Sequence, residues 1–347
     1  AMHNKKNDKI IILDFGSQTT QLIARRIREQ KVYSEIHPYT LPLEKLKAMQ
    51  PAGIILSGGP ASVYDEDAPI SDPGVFDLGV PVLGICYGAQ LMMQQLGGRV
   101  EKADKREFGK AALMIEYTAG LFAGMEPAPA THQVWMSHGD RVEEAAPGFT
   151  ASAGSEHSPF AALRHTEKPF VAVQFHPEVA HTLIGTDVLR NFVFGICGCA
   201  ASWTMHSFIE STVAEIKASV GDDQVICALS GGVDSTVVAA MVHRAIGSQL
   251  TCIYVNNGLM RINESDTILR FFREKTDLKV IDIHAESYFL ERLEGIADPE
   301  EKRKRIGYGF IEIFEQEAKK LGKVKYLAQG TLYPDVIESV VFRGKAP

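Results

Sequence analysis

Short apolar runs alternate with amphipathic, helix-like segments along most of the chain, and this alternation limits the possible folds more than any other feature. The first half contains three such runs that end in glycine or cysteine turns, "KIIILDFG" (9–16), "GIILSGG" (53–59) and "VPVLGIC" (80–86). A second strand–helix series begins after residue 208. Such alternation predicts parallel sheets with helices on both faces. Between about 110 and 175, shorter runs separated by Gly and Pro predict antiparallel hairpins instead.

The fold class that follows is α/β, with two doubly wound domains in tandem. We expect a mixed sheet with an antiparallel extension in the first domain and a parallel sheet in the second. A length of 347 residues also exceeds that of a usual single domain. The stretch "GCAASWTMHS" (198–207) is small and polar, as in a linker. We therefore predict domains at 1–200 and 208–347, joined by a linker at 201–207.

Composition narrows the class of protein. The net charge of −7 argues against a broad nucleic-acid surface, and no apolar run reaches the ~20 residues that span a membrane. Five cysteines without disulfide-framework spacing indicate reduced thiols and a cytoplasmic location. Cys197 and Cys199 form a CxC pair with no partner cluster at ligand spacing, so we interpret them as structural.

Cys86 follows an apolar strand directly, with Gly84 two residues before it and Gly88 two residues after. A nucleophile on a tight strand-to-helix turn needs small neighbours so that the strained backbone can close. The turn also places the sulfur at a helix N-terminus, where the helix dipole favours a thiolate. A buried cysteine packed at a strand end is the alternative, and this motif alone does not separate the two.

The segment "AVQFHPE" (172–178) favours the catalytic interpretation. His176 and Glu178 stand two residues apart after another apolar strand, with Pro177 between them. This arrangement predicts that His176 takes the thiol proton of Cys86 while Glu178 orients the imidazole, as in a Cys-His-acid triad. Gly58 and Gly59 in "LSGGP" end a third strand, and the N–H of Gly59 together with that of Tyr87 is predicted to form an oxyanion hole.

A second glycine turn, "LSGGVDST" (229–236), lies between an apolar run and a helix-like segment. It resembles a phosphate-binding loop but lacks the lysine that contacts the β- and γ-phosphates. Its main-chain N–H groups and hydroxyls are predicted to form an anion nest that holds a pyrophosphate leaving group. The predicted ATP-binding residues are Ser230, Gly231, Gly232, Val233, Asp234, Ser235 and Thr236. Asp234 is a candidate Mg²⁺ ligand, or a cap of the following helix.

Five segments of the first half, "LDFGSQ", "LSGGP", "GICYGAQLM", "WMSHGD" and "VQFHPE", closely resemble the class I glutamine amidotransferase domain. The resemblance covers residues 9 to about 197. It implies that Cys86 attacks the side-chain amide of glutamine, giving a glutamyl thioester and ammonia. It also implies that the glutamine is held by Gln90, Ser137, His138, Gly139 and Asp140.

The second half resembles the PP-loop ATP pyrophosphatases. The segments "YVNNGLMRINE" (254–264), "DPEEKRKRIG" (298–307) and "LAQGTLYPDVIES" (327–339) narrow this resemblance to the glutamine-hydrolysing GMP synthetase family. It implies that ATP, with Mg²⁺, adenylylates xanthosine 5′-monophosphate (XMP) and that ammonia then displaces AMP to give GMP. The basic run Lys302, Arg303, Lys304 and Arg305 would belong to a lid near the nucleotides, or would be an ordinary solvated helix face.

Two departures from the family pattern accompany this resemblance. Asn256 stands where the family usually has Asp, and the last residues, "VVFRGKAP", do not match. We expect the synthetase domain to be incomplete, without the C-terminal dimerisation domain of a homodimeric family. The alternatives are another PP-loop amidotransferase, or a non-catalytic module that senses glutamine.

Overall fold

The computed structural model describes residues 8–322 and 324–330, except for the side chains of residues 103–106. Most of the predicted motif at 327–339 and the predicted end of the second domain therefore lie outside the described residues. The chain divides into two compact units between Thr204 and Met205. The described part of the chain contains no helix long and apolar enough to cross a membrane.

The first unit is built on a nine-stranded mixed sheet with the order β2-β1-β3-β4-β9-β8-β7-β5-β6. Its strands are β1 (Lys9–Asp14), β2 (Tyr33–Pro38), β3 (Gly53–Leu56), β4 (Val82–Ile85), β5 (Arg99–Ile115), β6 (Thr131–Glu144), β7 (Phe149–Gly154), β8 (Ala162–His165) and β9 (Phe170–Val173). Strands β2, β1, β3, β4 and β9 pair in parallel, while β8, β7, β5 and β6 add antiparallel pairs. The mixed sheet with an antiparallel extension is thus confirmed.

Helices cover both faces of this sheet. They are α1 (Thr20–Glu29), α2 (Leu43–Ala48), α3 (Tyr87–Gln95) and α4 (Gly185–Arg190), with 3-10 turns at Pro73–Asp77 and Gly120–Phe122. Helix α4 continues as a π-helix over Asn191–Ile196. Along β1, Ile10 and Ile12 pack into one apolar cluster, and Ile11 and Leu13 pack into the other. Because successive side chains of a strand point to opposite faces, this strand is buried on both sides.

The second unit contains a four-stranded parallel sheet with the order β12-β11-β10-β13. Its strands are β10 (Gln224–Leu229), β11 (Leu250–Asn256), β12 (Val280–His284) and β13 (Val324–Ala328). Its helices are α5 (Met205–Val220), α6 (Val233–Ile246), α7 (Glu264–Lys275), α8 (Glu286–Leu293) and α9 (Pro299–Leu321), with a 3-10 turn at Gly247–Gln249. The predicted parallel sheet is confirmed, whereas α8 was not predicted from the sequence.

Candidate active site

Cys86 occupies a strained turn between β4 and α3. Its backbone has φ 50° and ψ −107°, a region that residues with a side chain rarely adopt. A Cβ on Gly84 would lie 2.7 Å from the carbonyl oxygen of Gly88, and a Cβ on Gly88 would lie 2.3 Å from that of Leu56. The turn can therefore close against β3 and α3 only because both neighbours are glycine. The strained strand-to-helix turn predicted from the sequence is present.

His176 and Glu178 lie just beyond the end of β9 and contact each other. The His176 Nδ1 is 2.8 Å from the Glu178 Oε1, and the two residues are 8% and 0% exposed. The His176 main-chain N–H donates to the carbonyl oxygen of Trp135 on β6 (3.0 Å), which fixes the turn. The Cys86 side chain lies close enough to the imidazole to affect its charge state. The structure thus brings all three predicted catalytic residues together.

The charge state of His176 follows from these contacts. Burial by itself disfavours the imidazolium, but hydrogen bonds to Cys86 and Glu178, and the negative charge on both, raise the pKa of His176 to about 10. The imidazole is therefore protonated at neutral pH, with the Glu178 carboxylate next to its Nδ1. An imidazolium next to a cysteine promotes the thiolate that acts as nucleophile.

This raised pKa predicts a pH dependence of stability. Protonated His176 stabilises the first unit fully below pH 6.5, and the contribution is lost as the pH rises through about 10. Between these values, urea stability should fall more steeply in wild type than in His176→Gln, by up to ~1.4 kcal/mol per pH unit. Both tryptophans, Trp135 and Trp203, belong to the first unit, so their fluorescence reports on it. Parallel pH profiles for wild type and variant would contradict the ion-pair assignment.

Thr19, next to the start of α1, supports the acid of this triad. Its Oγ1 donates to the Glu178 Oε1 (2.6 Å), the same oxygen that contacts His176. The Arg26 Nε donates to the Glu178 main-chain oxygen (3.1 Å). Sequence reasoning missed both residues, and the Thr19 side chain makes no capping hydrogen bond at the start of α1. Its hydroxyl instead orients a fully buried carboxylate.

For the glutamine hydrolysis that the sequence resemblance predicts, Thr19→Val should lower kcat by about tenfold, because a charge-assisted hydrogen bond on the Glu178 carboxylate is lost. Thr19→Ser retains the hydroxyl and should restore most of the rate. The measurement is ammonia release at saturating glutamine, with the exposed Thr118→Val as the matched control. A wild-type kcat in Thr19→Val would show that Thr19 does not position Glu178.

The glycine turn after β3, which contains the predicted oxyanion residue Gly59, lies beside Cys86 and His176. A Cβ built on Gly58 would be 3.0 Å from the His176 Cε1 and 3.7 Å from the Cys86 Cβ, so the Gly58 backbone lies against the reactive pair. A Cβ on Gly59 would meet the Phe15 carbonyl oxygen at 2.6 Å, which explains why glycine is needed there. Gly59 and Tyr87 line one cavity together with Cys86 and His176.

That cavity has a volume of about 760 Å³. All the residues that were predicted to hold glutamine line it: Gln90, Ser137, His138, Gly139 and Asp140. The Asp140 carboxylate accepts from the Tyr64 hydroxyl (2.7 Å) and from the Ser62 hydroxyl. Sequence reasoning missed Ser62 and Tyr64, because more than seventy residues of chain separate them from Asp140. The cavity is therefore lined both by the predicted nucleophile, Cys86, and by the Asp140 carboxylate, which can bind a cationic group.

The segment that was predicted to form an anion nest lies at the N-terminus of α6 in the second unit. Gly231 has φ 82°, and a Cβ there would lie 2.3 Å from the Ile268 Cδ1 of α7. The Ser235 Oγ accepts from the Ser230 main-chain N–H (3.2 Å), and the Ser230 Oγ accepts from the Gly232 N–H (3.3 Å). Gly232 is the N-cap of the 14-residue helix and Asp234 lies in its first turn. Asp234 is therefore not the cap.

Asn256 and three of the four residues of the basic run have local partners. On α9, Arg303 and Lys304 contact Glu300, and Arg305 contacts Glu301, at the i,i+3 and i,i+4 spacing of a solvated helix face. The Asn256 Nδ2 donates to the Glu286 Oε1 (2.7 Å) on α8, and its Oδ1 accepts from the Gly258 N–H (3.1 Å). A nucleotide-lid role of the basic run stays a prediction.

A family model described as glutamine amidotransferase class-I matches residues 11–196, and one described as NAD synthase matches residues 203–292. A glutamine-hydrolysing GMP synthase from Desulfotalea psychrophila is 72% identical over 98% of this chain, and one from Heliobacterium modesticaldum is 55% identical over 96%. The chain spans 66% and 65% of their lengths.

A solved structure from Thermoplasma acidophilum, described as one subunit of a GMP synthase, also resembles the chain. It superimposes with a TM-score of 0.51 at 32% identity, over 60% of this chain and 99% of that one. The first of the two family models spans more than half of the chain and contains Cys86, His176 and Glu178. The chain belongs to the class-I glutamine amidotransferase family.

Proposed function

We propose that the first unit hydrolyses glutamine to glutamate and ammonia, with Cys86 as nucleophile. One observation carries this proposal: a cysteine in a strained turn lines the same polar cavity as a hydrogen-bonded His176–Glu178 pair. A strained backbone at a buried cysteine has no packing benefit, and a triad has no use in a module that only senses glutamine.

The geometry suggests the following order of events. The Cys86 thiolate attacks the side-chain amide carbon, and the resulting oxyanion faces the N–H groups of Gly59 and Tyr87. His176 gives its proton to the departing nitrogen, so that ammonia leaves and a γ-glutamyl thioester forms. His176, now neutral, activates a water molecule, and the thioester hydrolyses to glutamate. Glu178 stabilises the imidazolium at each protonated stage.

The polar end of the cavity suits the amino-acid end of glutamine. We assign the Asp140 carboxylate to the α-ammonium group, because it faces the cavity and is oriented by the Tyr64 hydroxyl. Gln90 donates to the Asp140 carbonyl oxygen (2.8 Å) and so fixes this segment beside α3. The cavity has a hydrogen-bonded carboxylate at one end and a nucleophile at the other. This arrangement selects an amino acid that carries a side-chain amide over one that does not.

For the whole protein we propose synthesis of GMP from XMP, ATP and glutamine. The high identity to glutamine-hydrolysing GMP synthases supports it, as does the anion nest at the start of α6. ATP would bind with its pyrophosphate on the loop Ser230–Thr236, and adenylylation of XMP would prepare the site that ammonia attacks. The NAD synthase match supports a second candidate, another ATP-dependent amidation.

Mg²⁺ fits the second unit as a partner of the ATP phosphates. Among the residues described, no group of three or more His, Cys, Asp or Glu side chains is placed to hold a metal. Mg²⁺ commonly uses one or two carboxylates plus substrate phosphates, and Asp234 is an exposed carboxylate beside the anion nest. Bound there, the ion would neutralise phosphate charge. We also propose that the protein is cytoplasmic, in line with its five free cysteines. In line with the family resemblance, we propose that it forms a homodimer.

Two assays test the proposal. Ammonia release from glutamine tests the first unit, and its absence in folded protein would refute hydrolysis by Cys86. Incubation of the full-length protein with XMP, ATP, Mg²⁺ and ammonium salt tests the proposed synthesis, with GMP and AMP as the expected products. If AMP forms only when XMP is replaced by another substrate, such as a nucleotide that carries a carboxylate, the second candidate, another ATP-dependent amidation, would be favoured.

A further inference from the structure

A lysine shares the cavity of Cys86 with Asp140, outside every motif that the sequence singled out. Lys102 lies on β5 and is directly opposite Asp140 of β6 in the antiparallel pair. The side chains of directly opposite residues extend from the same face of a sheet. Both residues line the cavity that contains Cys86 and His176. The wall of the cavity therefore carries a cationic and an anionic side chain on neighbouring strands.

These two opposite charges do not pair with each other. The Asp140 carboxylate accepts from the Tyr64 hydroxyl (2.7 Å) and from the Ser62 hydroxyl, which hold it in place. Among the side chains that the structure describes, none forms an ion pair or a hydrogen bond with the Lys102 ammonium group. An ammonium group has three donors and no acceptor. The donors of Lys102 can therefore serve a ligand in the cavity.

The amino-acid end of glutamine carries two opposite charges, an α-ammonium group and an α-carboxylate on the same carbon. With the α-ammonium group on Asp140, the α-carboxylate lies beside it and also leaves bulk water. A carboxylate that loses water without gaining a donor destabilises the complex. Lys102 is the only lysine or arginine among the described residues that line the cavity. It lies next to Asp140, where a zwitterion needs its cationic partner.

We propose that Lys102 binds the α-carboxylate of glutamine, so that the cavity recognises a free amino acid by both of its charges. The inference rests on the proposed hydrolysis of glutamine, and it narrows the substrate to amides whose α-carboxylate is unblocked. Lys102 is exposed and reaches the substrate on a flexible four-carbon stem. This contact is the same before and during attack by Cys86, so it contributes to KM rather than to kcat.

Lys102→Gln removes the positive charge, and L-glutaminamide, in which a neutral amide replaces the α-carboxylate, removes the negative one. We expect Lys102→Gln to raise KM for glutamine by about tenfold while kcat stays within about threefold of wild type. Wild type should show a similarly raised KM for L-glutaminamide. Lys102→Gln should leave that KM within about twofold of wild type, because the pair is already broken on the substrate side. Initial rates of ammonia release across substrate concentrations measure both constants.

Two further variants serve as controls. Lys102→Arg keeps the charge and should hold KM for glutamine within about threefold of wild type. Lys110→Gln removes another exposed lysine of β5 that does not line this cavity, and should leave KM unchanged for both substrates. All three substitutions are at exposed positions, so the fold should survive, and melting curves of the variants check this.

An unchanged KM for glutamine in Lys102→Gln would overturn the proposal. So would an equal rise in KM for glutamine and for L-glutaminamide, because Lys102 would then shape the cavity without binding the carboxylate. Equal KM values of wild type for the two substrates would also contradict it. If folded wild type releases no ammonia from glutamine, the proposed function fails together with this inference; hydrolysis by wild type with no effect of Lys102→Gln refutes the role of Lys102 alone.

Discussion

Replacing Cys86 by alanine should abolish glutamine hydrolysis, with kcat falling by roughly 10⁴-fold or more, since loss of a triad nucleophile removes the covalent route. The fold should survive, because alanine retains the Cβ at this tightly packed turn and removes only the sulfur. Ammonia release measures the loss of hydrolysis, and a melting curve of the variant shows whether the fold survives. Cys197→Ala is the matched control, as Cys197 is a free and partly buried cysteine of the same unit.

The same variant separates the two proposed sites. Cys86 belongs to the first unit and the anion nest to the second. In the full-length protein, synthesis of GMP from XMP, ATP and ammonium salt should therefore persist in Cys86→Ala, whereas synthesis from glutamine should stop. A folded variant that lost both activities would contradict the assignment of ammonia production and ammonia use to different sites.

Replacing Glu178 by glutamine should lower kcat by roughly 10²- to 10⁴-fold, as removal of the orienting acid does in other triads. The Glu178 carboxylate is fully buried, and its Oε1 accepts from both His176 and Thr19. A neutral amide cannot stabilise the imidazolium, and its NH₂ group would face a donor if it took the place of Oε1.

Steady-state hydrolysis of glutamine measures this effect, and Glu167→Gln serves as a control because Glu167 is an exposed carboxylate in the turn before β9. Alkylation of Cys86 by iodoacetamide should also slow in Glu178→Gln, since the imidazolium that promotes the thiolate is less stable. Hydrolysis at the wild-type rate would remove Glu178 from the triad.

The sequence predicted the sheets well because buried parallel strands leave a strong local signal. Runs such as Ile10–Leu13 are apolar at successive positions, which fits a strand covered on both faces. The first half of β5, with the sequence "RVEKADKREFG", gave no such signal. Its described side chains at 99–102 are exposed or partly exposed, so no apolar alternation is required there. Helix α8 was missed because it has only eight residues and follows β12 after a single residue.

The triad could be predicted because its members follow strands directly and stand at short, recognisable spacings. Its supporting residues could not. Thr19 and Glu178 are 159 positions apart, and Arg26 is separated from Glu178 by 152. These contacts depend on which strands become neighbours in the sheet, and no local pattern of residues encodes that. Asp140 was predicted from its motif, whereas Ser62 and Tyr64, which orient it, carry no motif.

Covalent labelling with a glutamine-derived chloroketone tests hydrolysis by Cys86 most directly, because the reagent must enter the glutamine cavity before it can react. We predict one label per chain, located on Cys86 by peptide mapping, with loss of glutamine hydrolysis in proportion to labelling and protection by glutamine. Complete labelling of Cys86 with full retention of hydrolysis would contradict its role as nucleophile, as would complete inactivation with the label on another residue.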